Sequence, residues 1–175
     1  MKNKLLLPGA LFVLAVLGCS SMTETKWEPV NEGGVTVQMP GKPNKQTQTA
    51  QTAVGPINVN MFMVDKGSEA YMMAYNEFPA AAAKAVGDPQ VLLNNGRDGA
   101  LRNVNGKLTS ERPITLGSIP GRELIGEGTT SGKEVAFTAR IYWANPRLIQ
   151  IIYMREKSKA ESPDGKKFLD SIQIQ

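Results

Sequence analysis

Apolar and polar positions alternate along much of this chain, and the alternation predicts strands. Val35-Thr36-Val37-Gln38-Met39 is one strand, stopped by Pro40-Gly41. Lys45 to Val54 is mostly Gln and Thr with no apolar face, and reads as an edge strand or a loop. Ile57, Val59, Met61 and Met63 alternate with Asn58, Asn60, Phe62 and Val64, which predicts a long strand apolar on one face. A further strand runs from Ala70 to Asn76. The period then changes. Phe78-Pro79 opens an alanine-rich helical turn ending at Gly87, and Asp88-Pro89 supplies an N-cap and a first-position proline for a second helix. In that helix Leu93, Arg97, Ala100, Leu101 and Val104 share one face, and Asn105-Gly106 ends it.

The remaining pattern is again of strands: 108–116, with Pro113 arguing for an edge or a bulge, then 122–128, 135–143 and 147–155. Ser162-Pro163 caps a closing helix that carries Phe168, Leu169 and Ile172. A two-residue loop at Asn145-Pro146 sets Trp143 opposite Leu148, Ala139 opposite Ile152 and Phe137 opposite Met154. Both faces of that hairpin are then apolar, and a sheet apolar on both sides has to be covered on both sides. The expected fold is therefore α+β, an antiparallel sheet of about six to seven strands with helices packed on both faces. Its element order resembles the PsbP-like fold, seen also in DcrB-like bacterial lipoproteins. The likeness rests on the strand ending at Met39-Pro40, the helix after Gly87-Asp88-Pro89, and the segments Ile119-Pro120-Gly121-Arg122-Glu123-Leu124 and Lys167-Phe168-Leu169-Asp170-Ser171-Ile172. The resemblance implies an accessory or assembly protein, or a lipoprotein of an uncharacterised family, and carries no functional residue with it.

One apolar stretch has no such period. Leu5 to Leu17 follows Lys2 and Lys4 and is interrupted by Pro8-Gly9; it is shorter than the ~20 residues a spanning helix needs. It ends at Gly18-Cys19, and the whole segment resembles a bacterial lipoprotein signal whose cysteine is acylated after cleavage. The expected organisation is a signal peptide over 1–18, lipid attachment at Cys19, a polar tether over 19–34 and a single domain over 35–175. Such a tether reaches at most roughly 50 Å, at ~3.3–3.6 Å per extended residue. The protein is then expected in the cell envelope, anchored to a membrane facing the periplasm; Ser20 is compatible with the outer rather than the inner one.

Composition narrows the chemistry. Lys2 and Lys4 account for two units of the formal net charge of +4, and the other basic residues are scattered, so nucleic acid is not an expected partner. Histidine is absent and Cys19 is the only cysteine, which removes the commonest general base, the commonest metal ligand, thiolate chemistry and internal disulfides. No catalytic residue, metal or cofactor is expected. The expected partners are the lipid membrane, through Cys19, and another envelope protein.

Three constellations remain. Met61, Met63, Met72 and Met73 invite soft-metal binding, against core filling by a flexible side chain. Arg97 is either an anion site or a stem packed on the sheet whose head pairs with Asp98 or Glu111. Glu123 and Arg140 face each other if the loop at 129–134 closes symmetrically. They form either an ion pair that fixes register or the wall of a polar-ligand cleft for a sugar or anion.

Overall fold

The computed structural model describes residues 25–52 and 55–175. The apolar run, Cys19 and the first part of the expected tether lie outside them. Among the described residues ten strands and three helices follow in order: β1 (Glu28–Glu32), β2 (Val35–Met39), β3 (Asn44–Thr52), β4 (Gly55–Asp65), β5 (Glu69–Glu77), α1 (Ala80–Ala85), α2 (Pro89–Asn103), β6 (Lys107–Leu116), β7 (Ile119–Thr130), β8 (Lys133–Ala144), β9 (Arg147–Glu156), α3 (Pro163–Asp170) and β10 (Gln173–Ile174). Seven of the strands form one antiparallel sheet in the order β3-β4-β5-β9-β8-β7-β6, and β1-β2-β10 form a second, smaller one.

The helix starts follow from their caps. The Asp88 carboxylate accepts the Gln90 amide at 2.9 Å with Pro89 opening α2, and the Ser162 hydroxyl accepts the Gly165 amide at 3.3 Å with Pro163 opening α3. Asn105, at φ 44°, ends α2, and the Gly106 amide returns to the Leu101 carbonyl at 2.7 Å. The hairpin register expected at Asn145-Pro146 is the observed one: Trp143 pairs with Leu148, Ala139 with Ile152 and Phe137 with Met154.

Alternate residues of these strands enter two separate apolar cores. Phe137, Ala139, Ile141, Trp143, Leu148 and Ile152 pack with Leu92, Leu93, Ala100 and Val104 of α2. Tyr142, Ile149, Ile151 and Tyr153 pack with Val35, Val37 and Met39 of β2 and with Phe168 and Leu169 of α3. Helix α2 approaches its strands closely at Gly96, where a Cβ would lie 3.1 Å from a methyl of Ile141.

The structure departs from the sequence expectation at several points; Ile172, expected on the closing helix, lies beyond α3, which ends at Asp170, and leads into β10. Residues 28–32 were expected within the tether and instead form β1, paired with β2 from Glu28–Met39 to Glu32–Val35, with Val30 buried. The pairing is supported at the far end of the chain, where β10 lies against Thr36 and Val35. In β4 the alternation predicts an apolar face of Ile57, Val59, Met61 and Met63, of which only Ile57 is buried and Met63 is 39% exposed, while Phe62 and Val64 on the other face are buried. The reason is tertiary: Phe62 and Val64 face the core that the smaller sheet and α3 complete.

Candidate functional site

Strand register brings the polar residues together. The two-residue turn Gly117-Ser118 sets Arg112 of β6 opposite Glu123 of β7, and the turn Ser131-Gly132 sets Glu123 opposite Arg140 of β8. Three strands thus present Arg, Glu and Arg in a row on one face. The Glu123 carboxylate accepts Nε of Arg112 at 2.8 Å through Oε1, and Nε of Arg140 at 2.8 Å through Oε2. Arg140 is also tied to α3, donating to the Leu169 carbonyl at 2.8 Å and meeting the Asp170 carboxylate at 2.9 Å. Lys166 pairs with the same aspartate. The result is one continuous chain of alternating charge: Arg112, Glu123, Arg140, Asp170, Lys166.

The charges in this chain reinforce one another. Burial alone would raise the Glu123 carboxyl, but hydrogen bonds from Arg140 and Arg112 outweigh it and hold the group below the ordinary carboxylate value. Burial would likewise lower Arg140, and its bonds to Glu123 and Asp170 reverse that. Asp170 is held low chiefly by Lys166, against some burial and with help from Arg140. Beside this chain lies an open hollow of about 380 Å³, floored by Ile125, Ala136, Thr138 and Tyr153 and rimmed by Arg112, Arg155, Glu161 and Lys166. Arg155 is turned towards the carbonyl of Lys159, at 2.6 Å. Ile125 is 43% exposed at the floor, and the Arg112 side chain is 62% exposed at the rim.

Glu123 and Arg140 are therefore brought together; Arg97 is not with them. Its guanidinium donates to Asp98 at 2.8 Å and to Glu111 at 3.4 Å, the two carboxylates named from the sequence. Its pKa is raised, chiefly by the bond to Asp98. Glu111 also receives Arg122 at 2.5 Å, and Arg122 reaches Asn94 and Gln90 of α2. This second network fastens α2 to β6 and β7. Arg112 and Arg122 were missed in the sequence, although counting back from Gly117-Ser118 would have placed Arg112 opposite Glu123.

The four methionines do not converge. Met61 and Met63 share one face of β4 and Met63 pairs with Met72, but Met73 is fully buried in the opposite core. Met63, Met72 and Met154 line a small apolar hollow of about 170 Å³. Among the described residues there is no group of three or more Cys, Asp or Glu placed to hold a metal ion, and no buried side-chain polar atom lacks a partner.

A third polar group is structural. Glu69 accepts the hydroxyls of Tyr71 and Tyr153, each at 2.7 Å, and Tyr153 is 3.3 Å from the Ser162 hydroxyl that caps α3. Burial would raise Glu69, and the bonds from Tyr71, Tyr153 and Ser162 lower it instead. The rings stack onward: Tyr71 lies 5.3 Å from Tyr153 and meets Phe168 edge-on at 5.5 Å.

No family model and no curated protein sequence matches this chain. Among solved structures it is similar to the solution structure of cyanobacterial PsbP (CyanoP) from Synechocystis sp. PCC 6803. The TM-score is 0.56 at 9% identity, covering 91% of this chain and 99% of that one. That likeness shows a PsbP-like fold and nothing about activity. A crystal structure of a Pseudomonas aeruginosa protein of unknown function, PA94, described as a putative regulator, matches with a TM-score of 0.42 at 8% identity over 65% of this chain and 85% of that one.

Proposed function

We propose that this chain is a lipid-anchored envelope lipoprotein of the DcrB-like kind, whose PsbP-like domain is a non-catalytic accessory module binding another envelope protein. In this reading α2 and α3 cover opposite faces of the seven-stranded sheet. Acylated Cys19 holds the domain to a membrane facing the periplasm, the outer one by the residue that follows it. The observation that carries the reading is the closed charge network. A general base needs a pKa near the working pH. Glu123 is held in the opposite direction by two arginines, and each of those arginines already has a carboxylate partner. What the hollow offers is a contact surface: Ile125 at its floor and Arg112 at its rim are exposed side by side, an apolar anchor beside a charge.

The test has two arms. Metabolic labelling with an alkyne palmitate is expected to mark the chain and to be lost in Cys19→Ser; an unlabelled wild type overturns the anchor. A photo-reactive residue at Ile125 is expected to crosslink one envelope protein in intact cells, and Arg112→Glu is expected to abolish the adduct. Absence of any adduct to a second protein species overturns the partner.

A second reading, a binder of small anions or sugars, is favoured by the cationic rim of Arg112, Arg155 and Lys166 around a hollow of ligand size. Phosphate, citrate and simple sugars raise the melting temperature under this reading, because a ligand of the native state stabilises it. An unmoved melting temperature across that set removes it.

A further inference from the structure

The two outer strands of the large sheet are finished differently. Strand β6 carries Pro113, which lacks an amide hydrogen, a register shift between Leu108 and Ser110, and the charges of Lys107, Glu111 and Arg112. These are the devices by which a sheet edge refuses a further strand. Strand β3 has almost none of them. It pairs with β4 in unbroken register from Asn44 to Thr52 and contains no proline and no glycine. Its one charge, Lys45, already meets Glu32 at 2.9 Å. Residues 44–51 are all exposed, and Thr47 and Thr49 spend their hydroxyls on Asn60 and Asn58 of β4, each at 2.9 Å. At ~3.4 Å per residue the open edge is about 30 Å long.

We infer that β3 is an assembly edge and that its occupant is β3 of a second copy, running antiparallel about a two-fold axis at Gln48. A two-fold contact has to be complementary to itself, and this sequence is. The register that engages the whole strand sets Gln48 opposite Gln48 of the second copy, Thr47 opposite Thr49, Gln46 opposite Ala50 and Lys45 opposite Gln51. No like charges meet. Facing glutamines exchange hydrogen bonds across paired strands and the facing β-branched threonines, whose hydroxyl protons stay on Asn60 and Asn58, pack side by side, the chemistry by which polar strands of low charge self-associate. The self-match is what selects a second copy over an unrelated strand. The two large sheets then continue into one another across the axis. This contact goes beyond the partner-binding reading and does not depend on it: the cleft at Glu123 lies on β6, β7 and β8, at the other end of the strand order.

The test follows the protein mass of the full chain in mild non-ionic detergent, by sedimentation equilibrium from low to high micromolar concentration. Wild type is expected to pass from one to two chain masses. Thr47→Lys with Thr49→Lys puts lysine opposite lysine twice at the axis and is expected to weaken the dimer about tenfold or more. Thr47→Lys with Thr49→Glu puts lysine opposite glutamate twice in the same register and is expected to stay within about threefold of wild type. Both pairs sit on exposed positions, so circular-dichroism melts are expected to show all three proteins folded. A wild type that stays single, a double-lysine variant that dimerises like wild type, or a lysine–glutamate variant as weak as the double lysine each overturns the inference. None of these results touches the palmitate or crosslinking arms above.

Discussion

Gly165→Ala is expected to destabilise the domain, although alanine is the better helix former. Gly165 sits in the first turn of α3, three residues after its cap, directly over the Tyr153 ring. A Cβ there would lie 2.4 to 2.7 Å from three ring carbons, where ordinary contact is about 3.5–4.0 Å. About 1 Å has to be found. The ring cannot supply it: Tyr153 is 2% exposed, stacked on Tyr71, and pinned at its hydroxyl by Glu69. Helix α3 must lift instead, loosening Phe168 and Leu169, which are 0% and 3% exposed. Overpacking of this kind costs typically ~1–3 kcal/mol. The intrinsic gain of alanine over glycine is at most ~1 kcal/mol and is smaller in a first turn. A net loss of about 2 kcal/mol corresponds to roughly 4–8 °C in melting temperature for a domain of this size. Gly99→Ala is the matched control: its Cβ would have only the Arg102 guanidinium within 4 Å, at 3.9 Å, so the same substitution is expected to stabilise α2 by up to ~1 kcal/mol. Calorimetry on the two variants reads opposite signs. A Gly165→Ala protein melting at or above the parent would refute the account of how α3 is seated. The same helix forms one wall of the cleft through Lys166 and Leu169, so a lifted α3 also opens the Arg140–Asp170 link.

Glu123→Gln removes the charge between two arginines and is expected to cost about 1–2 kcal/mol, softened because Arg112 is exposed and Arg140 keeps Asp170; chemical denaturation measures it. The folded pKa values of Glu123 and Asp170 lie below their ordinary values of 4.5 and 3.8, so the stability they contribute is present above those values and is lost as pH falls through the lower folded ones. Stability of wild type against pH should therefore fall on the acid side, and Glu123→Gln should flatten that limb; parallel acid limbs would contradict this. Burial raises Tyr71, Tyr142 and Tyr153 above the ordinary value of 10.0, so their contribution is present below that value and is lost as pH rises through the higher folded ones. In an alkaline titration the tyrosinate absorbance of these three should appear late and together with unfolding, and early ionisation of all tyrosines would count against it. Asp88→Ala should cost about 1 kcal/mol through the lost cap of α2, readable as a lower denaturation midpoint.

The parts legible in the sequence are those fixed by short-range geometry. Tight turns at Asn145-Pro146 and Ser131-Gly132 transmit register directly, which is why the Trp143–Leu148 and Glu123–Arg140 pairings could be counted out. Asp88-Pro89 and Ser162-Pro163 state their helices locally. Strands β1 and β10 could not be read this way. The first buries only Val30 and contains Pro29, and the second is two residues long, so each exists because β2 offers it a partner. The switch of burial along β4, from Ile57 on one face to Phe62 and Val64 on the other, escapes the pattern for a related reason. Alternation shows that one side of a strand is apolar, but which side is covered depends on elements distant in sequence. For the charge network, Glu123 and Arg140 follow from one hairpin and Arg112 from the next. Asp170 joins only through the packing of α3, which no periodicity encodes.

The attachment of residues 25–27 to α3 changes what an anchor at Cys19 would mean. Trp27 lies under the Lys167 ammonium at 4.1 Å and the Thr25 hydroxyl reaches Asp164 at 3.3 Å, so the polypeptide is fastened to α3 before β1 begins. Only six residues, 19–24, separate Cys19 from that attachment, and six residues span at most ~20 Å. A body held so short would graze the headgroups rather than sample the space above them, and the side bearing α3 would be turned towards the bilayer. Whatever it meets would have to be found at the lipid surface itself.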